Sequence, residues 1–197
     1  DAQCINYCNQ VCAAKLEESG IGGLATFLDP IVMSTYMTEG QDEDSRYSCL
    51  LFKEQQGIVG EEGLQLVICP LSDGDGRNST GTHWSGIFHW YDPNVDSNTK
   101  ISFKHYDFKK LPTGRLNTNA AQTMCRKLCV LLYPALSDVL IESLIDVEEP
   151  SFIPKQPDST CCGILLVALM EIYTNAIMDS ITRRPLSKEY VERIEIS

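Results

Sequence analysis

Histidine is scarce in this chain: His83, His89 and His105 are the only three among 197 residues. A catalytic base or a metal site that uses imidazole must therefore come from a short list. Basic residues are also few, since 16 lysines and arginines stand against 27 aspartates and glutamates, for a formal net charge of −11. This balance argues against nucleic acid and anionic membrane surfaces as partners and favours basic partners.

Long hydrophobic runs are missing as well. The longest, residues 164–170, is far shorter than the roughly 20 apolar residues that span a bilayer, so we expect no transmembrane helix. The opening Asp-Ala-Gln-Cys has neither a basic nor an apolar segment, and we expect no signal peptide. Nine cysteines, an odd number in a chain of this size, indicate free thiols in a reducing, intracellular compartment rather than a disulfide scaffold.

The order of the predicted elements indicates an α+β fold in a single domain, residues 1–197, which we expect to be a monomer. The predicted helices are 2–18, 30–36, 119–133 and the mostly apolar 163–178. The predicted strands are 64–69, 85–91, 100–106 and 139–147. Pro70 is expected to close the first strand, and the second and third are expected to form a hairpin.

Cys162 is the candidate nucleophile. It opens the predicted apolar helix, where unpaired N–H groups and the positive end of the helix dipole favour thiolate over thiol. Gly163 follows it and has no side chain to obstruct a substrate carbonyl at the helix terminus. Taken alone, a cysteine at a helix start is more often a structural thiol buried in the core.

A base and its partner are predicted at the open end of the hairpin. His83 lies where a polar loop becomes a strand, a rim position where catalytic groups tend to lie. His89 and His105 fall within the strands, where a packed or surface imidazole is the simpler interpretation. Since the start of one hairpin strand lies beside the end of the other, Asp107 is brought toward His83. A carboxylate there can orient the imidazole, although Asp107 alone fits a strand-end turn residue equally well.

Three segments, in this order, resemble the catalytic signature of the SUMO proteases and deneddylases, which are cysteine proteases specific for ubiquitin-like modifiers. They are Gly-Thr-His-Trp-Ser at 81–85, Phe-Lys-His-Tyr-Asp at 103–107, and Gln156 ahead of Cys162-Gly163. The resemblance runs from about residue 1 to the C-terminus. It implies a papain-like fold of the ubiquitin-like-protease type, with a central mixed sheet and a buried helix that carries the nucleophile.

The resemblance also implies a role for each residue. Cys162 attacks the carbonyl of the modifier's last glycine, while His83, held by Asp107, takes the thiol proton and later protonates the leaving amine. Gln156 by its side chain and Cys162 by its N–H would form an oxyanion hole. Trp84 would cover a narrow channel that admits the diglycine tail of the modifier. Only glycines would pass through it, because the Cβ of any other residue would clash there. As a single observation, Trp84 fits an ordinary core tryptophan. No cofactor and no metal are implied.

Several features depart from the family pattern. Cys161 stands where the family has aspartate, which leaves two adjacent thiols as candidates. Only Cys162 has both the glycine after it and the right spacing from Gln156. The interval between His83 and Asp107 is long, which we assign to a longer hairpin tip. The family's tryptophan before the first helix is absent, so we expect this chain to begin just inside the domain.

The identity of the modifier is less well defined. Segments 70–85 and 105–107, with Asn-Ala-Ala at 119–121, are closer to the deneddylases than to the SUMO proteases. The acidic balance agrees, because ubiquitin and the cullin modifier end in tails that carry arginine. We therefore favour the cullin modifier or ubiquitin, with SUMO as the competitor.

Other kinds of protein fit parts of the same pattern. His-Trp at 83–84 and Pro-Asp-Ser-x-x-Cys-Gly at 157–163 also resemble the adenovirus-type maturation protease. An inactive relative would bind the modifier without cleaving it. The helix-spaced sets Cys4, Cys8, Cys12 and Cys125, Cys129 suggest a zinc-binding module, but no CxxC pair or nearby histidine supports it, and small core thiols are the simpler interpretation.

Overall fold

Helices lie on both faces of one mixed sheet. The structure, a computed structural model, describes residues 2–33, 65–73, 83–94, 99–111, 114–115, 117–151, 153, 155–156 and 160–183. The helices are α1 Ala2–Glu18, α2 Thr118–Leu132, α3 Asp138–Leu144 and α4 Cys162–Arg183. The strands are β1 Ala25–Phe27, β2 Gln65–Ser72, β3 Trp84–Tyr91, β4 Ile101–Tyr106, β5 Lys110–Leu111, β6 Gly114–Arg115 and β7 Ile145–Glu148. The predicted α+β class is confirmed.

The main sheet has five strands in the order β1-β2-β3-β4-β7. Its central pairs, β2 with β3 and β3 with β4, are antiparallel. The outer pairs, β1 with β2 and β4 with β7, are parallel. The predicted hairpin is confirmed as β3 and β4, in a register that pairs Gly86 with Tyr106 and His89 with Phe103. The expected mixed sheet is therefore present.

Each face of the sheet has its own hydrophobic core, because side chains alternate along a strand. The core under α2 and α3 includes the buried Ile87, Phe103, Met124 and Leu128. The core under α1 and α4 includes the buried Leu16, Ile68, Leu166 and Tyr173. Burial on both faces explains why β2 is apolar nearly throughout rather than alternating.

The expectation that Pro70 closes the first predicted strand is wrong. Pro70 lies inside β2 and pairs with Gly86 of β3. On its other side β2 pairs with β1 through residues 66–68 only. Among the described strands Pro70 therefore has no neighbour on that side, and a proline is tolerated where no ladder bond needs its missing N–H.

The strand predicted at residues 139–147 is wrong for residues 139–144 and confirmed only for residues 145–147. This segment divides into helix α3 and the short strand β7. Ser137 supplies the reason, because its hydroxyl accepts a hydrogen bond from the Leu140 N–H at 3.4 Å and so caps α3. The apolar residues of α3 that face the core are Ile141 and Leu144.

The first two predicted helices agree with the structure where it describes them. α1 ends at Glu18, two residues before Gly20, whose φ of +74° is a left-handed value that glycine adopts freely. Residues 30–33 are helical, and Asp29 Oδ1 accepts hydrogen bonds from the N–H groups of Ile31 and Val32. The rest of that predicted helix, residues 34–36, lies outside the described residues, as do the polar loop 74–82 and the hairpin tip 95–98.

Helix α4 is apolar enough, over Cys162–Ser180, to span a membrane by length and composition alone. The expectation of no transmembrane helix was based on the shorter run 164–170. One side of the helix packs on the sheet through residues that include Leu166, Leu169, Met170, Tyr173 and Ile177. The opposite side is exposed, with Ile164 71% and Ile172 41% accessible. Core packing therefore accounts for much of the apolar composition, although the helix is buried on one side only.

Gly86 allows α4 to approach β3 closely. A Cβ at this position would lie 2.5 Å from Cδ1 of Leu166 and 2.9 Å from Cε2 of Phe88. Both neighbours are buried and have little freedom to move aside. The missing side chain thus sets the distance between helix and sheet, and with it the position of Cys162 at the helix start.

We expect Gly86→Ala to lower the free energy of unfolding by about 1–3 kcal/mol, the usual cost of an extra carbon in a filled core. Urea denaturation followed by circular dichroism would measure it. Gly23→Ala is the matched control, because no atom lies within 4 Å of a Cβ at Gly23. Equal stability of the two variants would show that the close approach at Gly86 is not a constraint.

Candidate active site

His83 and Asp107 form a buried pair at one end of the β3–β4 hairpin. His83 Nε2 lies 2.6 Å from Asp107 Oδ1, and the two side chains are 1% and 0% exposed. His83 directly precedes β3 and Asp107 directly follows β4, so antiparallel pairing brings them together. The predicted hydrogen bond between carboxylate and imidazole is confirmed.

The Asp107 carboxylate accepts two more hydrogen bonds, both from backbone N–H groups. Lys109 donates to Oδ1 and Asn117 donates to Oδ2, each at 2.9 Å. Asn117 is the N-cap residue of α2, so the carboxylate also lies at the positive end of a helix dipole. Burial opposes ionisation of Asp107, but the hydrogen bonds from His83, Asn117 and Lys109 together hold its pKa below the ordinary value of 3.8. Asp107 is therefore ionised at neutral pH.

Cys162 begins α4 at the same end of the sheet. The backbone N–H of Trp84 donates a hydrogen bond to its Sγ at 3.4 Å. Because Trp84 follows His83 directly, thiol and imidazole lie at one strand end. The sulfur therefore lies beside the Trp84 N–H and at the N-terminus of α4, the positive end of the helix dipole.

The second ring nitrogen of His83 is the one left for chemistry. Nδ1 is buried, and no hydrogen-bond partner for it exists within the described residues. With Nε2 bound to Asp107, a proton exchanged with a neighbouring thiol has to use Nδ1. A thiol, an imidazole and a carboxylate thus lie at one end of the sheet, and their roles as nucleophile, base and orienting group stay a prediction.

Gln156 lies close to this group. Its N–H donates to the carbonyl oxygen of Phe108 at 3.1 Å, and the residue is 9% exposed. The segment that carries Gln156 is thereby tied to the chain directly after Asp107. This location suits the predicted oxyanion role, which stays a prediction.

Trp84 and Gly163 face each other above the start of α4. A Cβ at Gly163 would lie 3.7 Å from Cδ1 of Trp84 and 3.8 Å from Cδ1 of Ile5, which are ordinary contact distances. The indole is 8% exposed and belongs to the core under α1 and α4. Trp84 is thus a core tryptophan that also borders the candidate nucleophile, and its role in a diglycine channel stays a prediction.

Sequence reasoning missed part of the surroundings of Asp107. His105, interpreted as a packed or surface imidazole, is fully buried, with Nε2 3.1 Å from Oγ of Ser85. Asn117 was not singled out, yet its Nδ2 donates to the same hydroxyl at 3.0 Å. Asparagine just before a predicted helix signals an N-cap. Nothing local in the sequence indicated that its side chain would reach β3 instead.

The other cysteines show no metal centre in the part of the chain that the structure describes. No group of three or more histidine, cysteine, aspartate or glutamate side chains is arranged there to hold an ion. Eight cysteines are described, and all are free thiols. Burial raises the pKa of Cys129 to about 12 and shifts that of Cys125 in the same direction, so both remain protonated. These thiols are core residues.

Comparison with solved structures identifies the fold. The crystal structure of a de-SUMOylating protease matches 97% of this chain and 70% of its own, with a TM-score of 0.59 and 12% identity. The effector protein XopD of Xanthomonas campestris, in a structure bound to ubiquitin, matches 95% of this chain and 84% of its own, with a TM-score of 0.56 and 16% identity. No protein-family model and no curated sequence matches the chain. The chain has the papain-like fold of the ubiquitin-like-modifier proteases, as the sequence predicted.

Asp107→Asn should remove stability that the wild type has at neutral pH. Because the folded pKa of Asp107 lies below its ordinary value of 3.8, the ionised carboxylate stabilises the fold above that value. This contribution is lost as pH falls through the lower, folded pKa. Urea unfolding at several values between about pH 2 and pH 7 should show a weaker acid dependence in the variant.

Glu171→Gln is the matched control for this measurement. The hydrogen bond from Lys15 also lowers the pKa of Glu171, but this carboxylate is exposed to solvent. An exposed ion pair contributes little to stability. The free energy of unfolding of Glu171→Gln should therefore change with pH as that of the wild type does. If Asp107→Asn behaves in the same way, the buried pair does not stabilise the fold.

Proposed function

We propose that the protein is a cysteine peptidase that cleaves after the C-terminal Gly-Gly of a ubiquitin-like modifier. It releases the modifier from a lysine side chain or processes its precursor. The observation that carries the proposal is the 2.6 Å hydrogen bond between His83 and Asp107 at the strand end where the Trp84 N–H meets the Cys162 sulfur. The fold shared with a de-SUMOylating protease supports it.

In the proposed reaction His83 Nδ1 takes the proton of the Cys162 thiol. The thiolate attacks the carbonyl carbon of the modifier's last glycine, and the amine leaves with the proton from His83 as the C–N bond breaks. Water, deprotonated by His83, then hydrolyses the thioester and regenerates the thiol. Asp107 remains ionised and stabilises the imidazolium. The Gln156 side chain and the Cys162 N–H hold the oxyanion in both tetrahedral intermediates.

Substrate selection is proposed to depend on Trp84, which borders the start of α4 beside Cys162. Trp84 and Ile5 border the position above Gly163. We expect a substrate tail of two glycines to fit beside the indole of Trp84, whereas a Cβ on either of these two residues would clash with it. Modifiers that end in Gly-Gly are therefore the proposed substrates, and peptides with side chains at the last two positions are excluded.

The choice among modifiers rests on charge and on the sequence motifs. The similar structures do not decide it, since one is a de-SUMOylating protease and the other was solved with ubiquitin. We favour the cullin modifier or ubiquitin, whose arginine-bearing tails suit a chain of net charge −11. The eight described free thiols suit a reducing compartment, so we place the reaction inside a cell.

Labelling with a modifier that carries a C-terminal propargyl group tests the nucleophile, because only an active thiolate adds to the probe. We expect Cys162→Ala to abolish labelling and Cys161→Ala, the adjacent control, to retain most of it. His83→Ala should also remove labelling. Loss in Cys161→Ala with retention in Cys162→Ala would move the nucleophile by one residue. Binding of the modifier without labelling of the wild type would identify an inactive binding module.

A panel of ubiquitin, cullin-modifier and SUMO probes tests the substrate. We expect the first two to react faster, with rates that fall as salt rises above about 0.1 M, where the Debye length is near 10 Å. SUMO should respond less to salt, and tails ending in Ala-Ala should not react. If the SUMO probe reacted fastest, the preference for ubiquitin or the cullin modifier would be wrong, but the proposed peptidase activity would stand. Equal cleavage of Ala-Ala tails would favour the adenovirus-type enzyme instead.

A further inference from the structure

A chain of buried polar groups continues from the candidate active site into the protein. Asn117 binds Asp107 Oδ2 through its backbone N–H at 2.9 Å and Ser85 Oγ through its side chain at 3.0 Å. Ser85 Oγ lies 3.1 Å from His105 Nε2, and His105 Nδ1 lies 3.6 Å from Oε1 of Glu149. We call Ser85, His105 and Asn117 the Ser85 network.

The network is not a second catalytic site, although its serine and histidine and the neighbouring Glu149 follow one another. Ser85 and His105 are both 0% exposed. No substrate carbonyl can reach a hydroxyl that is enclosed on all sides. What the network touches is Asp107, and its effect on chemistry has to pass through that carboxylate.

The hydroxyl of Ser85 sets the direction of the hydrogen bonds. The Asn117 amide donates to Oγ, so the hydroxyl proton needs a separate acceptor. Within the described residues the other side-chain contact of this hydroxyl is His105 Nε2. When Ser85 donates this proton to Nε2, the ring proton of His105 lies on Nδ1, on the side of Glu149 Oε1, which is 3.6 Å away and beyond hydrogen-bond distance. Thr118 donates to the same Glu149 oxygen at 2.7 Å and helps to hold it.

We propose that Ser85, Asn117 and His105 are positioning residues for Asp107, an inference that rests on the function proposed above. The Asn117 N–H stays on Asp107 Oδ2 because the Asn117 side chain is fixed to β3 by Ser85. A carboxylate held at Oδ2 presents Oδ1 to His83 in one orientation. Without the network the carboxylate is held only at Oδ1, by the Lys109 N–H and His83, and its less fixed orientation weakens the alignment of His83 with the thiol.

Ser85→Ala tests the proposal by kinetics on a cleaved modifier substrate. We expect kcat to fall about tenfold with KM little changed, because the variant misaligns the base without touching the bound tail. In an Asp107→Asn background the same change should cause no further loss, since the network acts through that carboxylate. Asn117→Ala should behave in the same way and serves as the second variant if Ser85→Ala does not fold.

Tyr133→Phe is the matched control. It deletes a hydroxyl that lies 2.8 Å from Nε2 of another buried histidine, His89, on the same face of the sheet. Loss of this hydroxyl should leave kcat unchanged. A kcat loss as large as that of Ser85→Ala, or an equal fold-loss from Ser85→Ala in both backgrounds, would show a general structural effect and overturn the proposal.

Nitrogen-15 NMR of the three histidine rings gives a readout that needs no substrate. We expect wild-type His105 to be protonated at Nδ1 and unprotonated at Nε2, and Ser85→Ala to shift the ring resonances of His83. If no modifier is cleaved, the proposed function fails while this measurement still decides the inference. A proton on His105 Nε2 in the wild type, or unchanged His83 resonances in Ser85→Ala, would overturn it.

Discussion

The antiparallel pairing of β3 with β4 is the interaction on which the site depends. Its register, with Gly86 opposite Tyr106, places the residue before β3 beside the residue after β4. The same alternation puts His83, Ser85, His105 and Asp107 on one face. A slip of one residue would turn Asp107 to the other face, away from His83. The buried apolar side chains of both cores resist that slip, since it would expose each of them.

The two layers of helices contribute to the site from opposite faces of the sheet. Asp107 contacts the N-terminus of α2 on one face, and Cys162 opens α4 on the other. The Asp107 carboxylate and the Cys162 sulfur each lie at the N-terminal end of a helix, where the helix dipole is positive. The His83 imidazole is hydrogen-bonded to that carboxylate. Close packing of α4 over Gly86 sets the height of the thiol relative to that imidazole.

Prediction from sequence succeeded where a local pattern carried the information. The long amphipathic helices, the β3–β4 hairpin and the helix start at Cys162 all follow from periodicity and flanking residues. It failed at Pro70, where the missing neighbour on one side of β2 decides whether proline is tolerated. It also failed at residues 139–147, where the Ser137 cap outweighs an apolar run that fits strand or helix equally well.

The sequence by itself determined the kinds of groups available for chemistry and their order along the chain. Three histidines, one cysteine opening an apolar helix and a carboxylate at a strand end leave few arrangements to consider. Only the tertiary structure decided that Asn117 and His105 join the surroundings of Asp107. Ser85 lies on β3, His105 lies on β4, and Asn117 is the N-cap of α2. Their side chains come into contact only after the two strands pair and α2 packs on them. Such contacts depend on the register and placement of whole elements, and no local pattern encodes these.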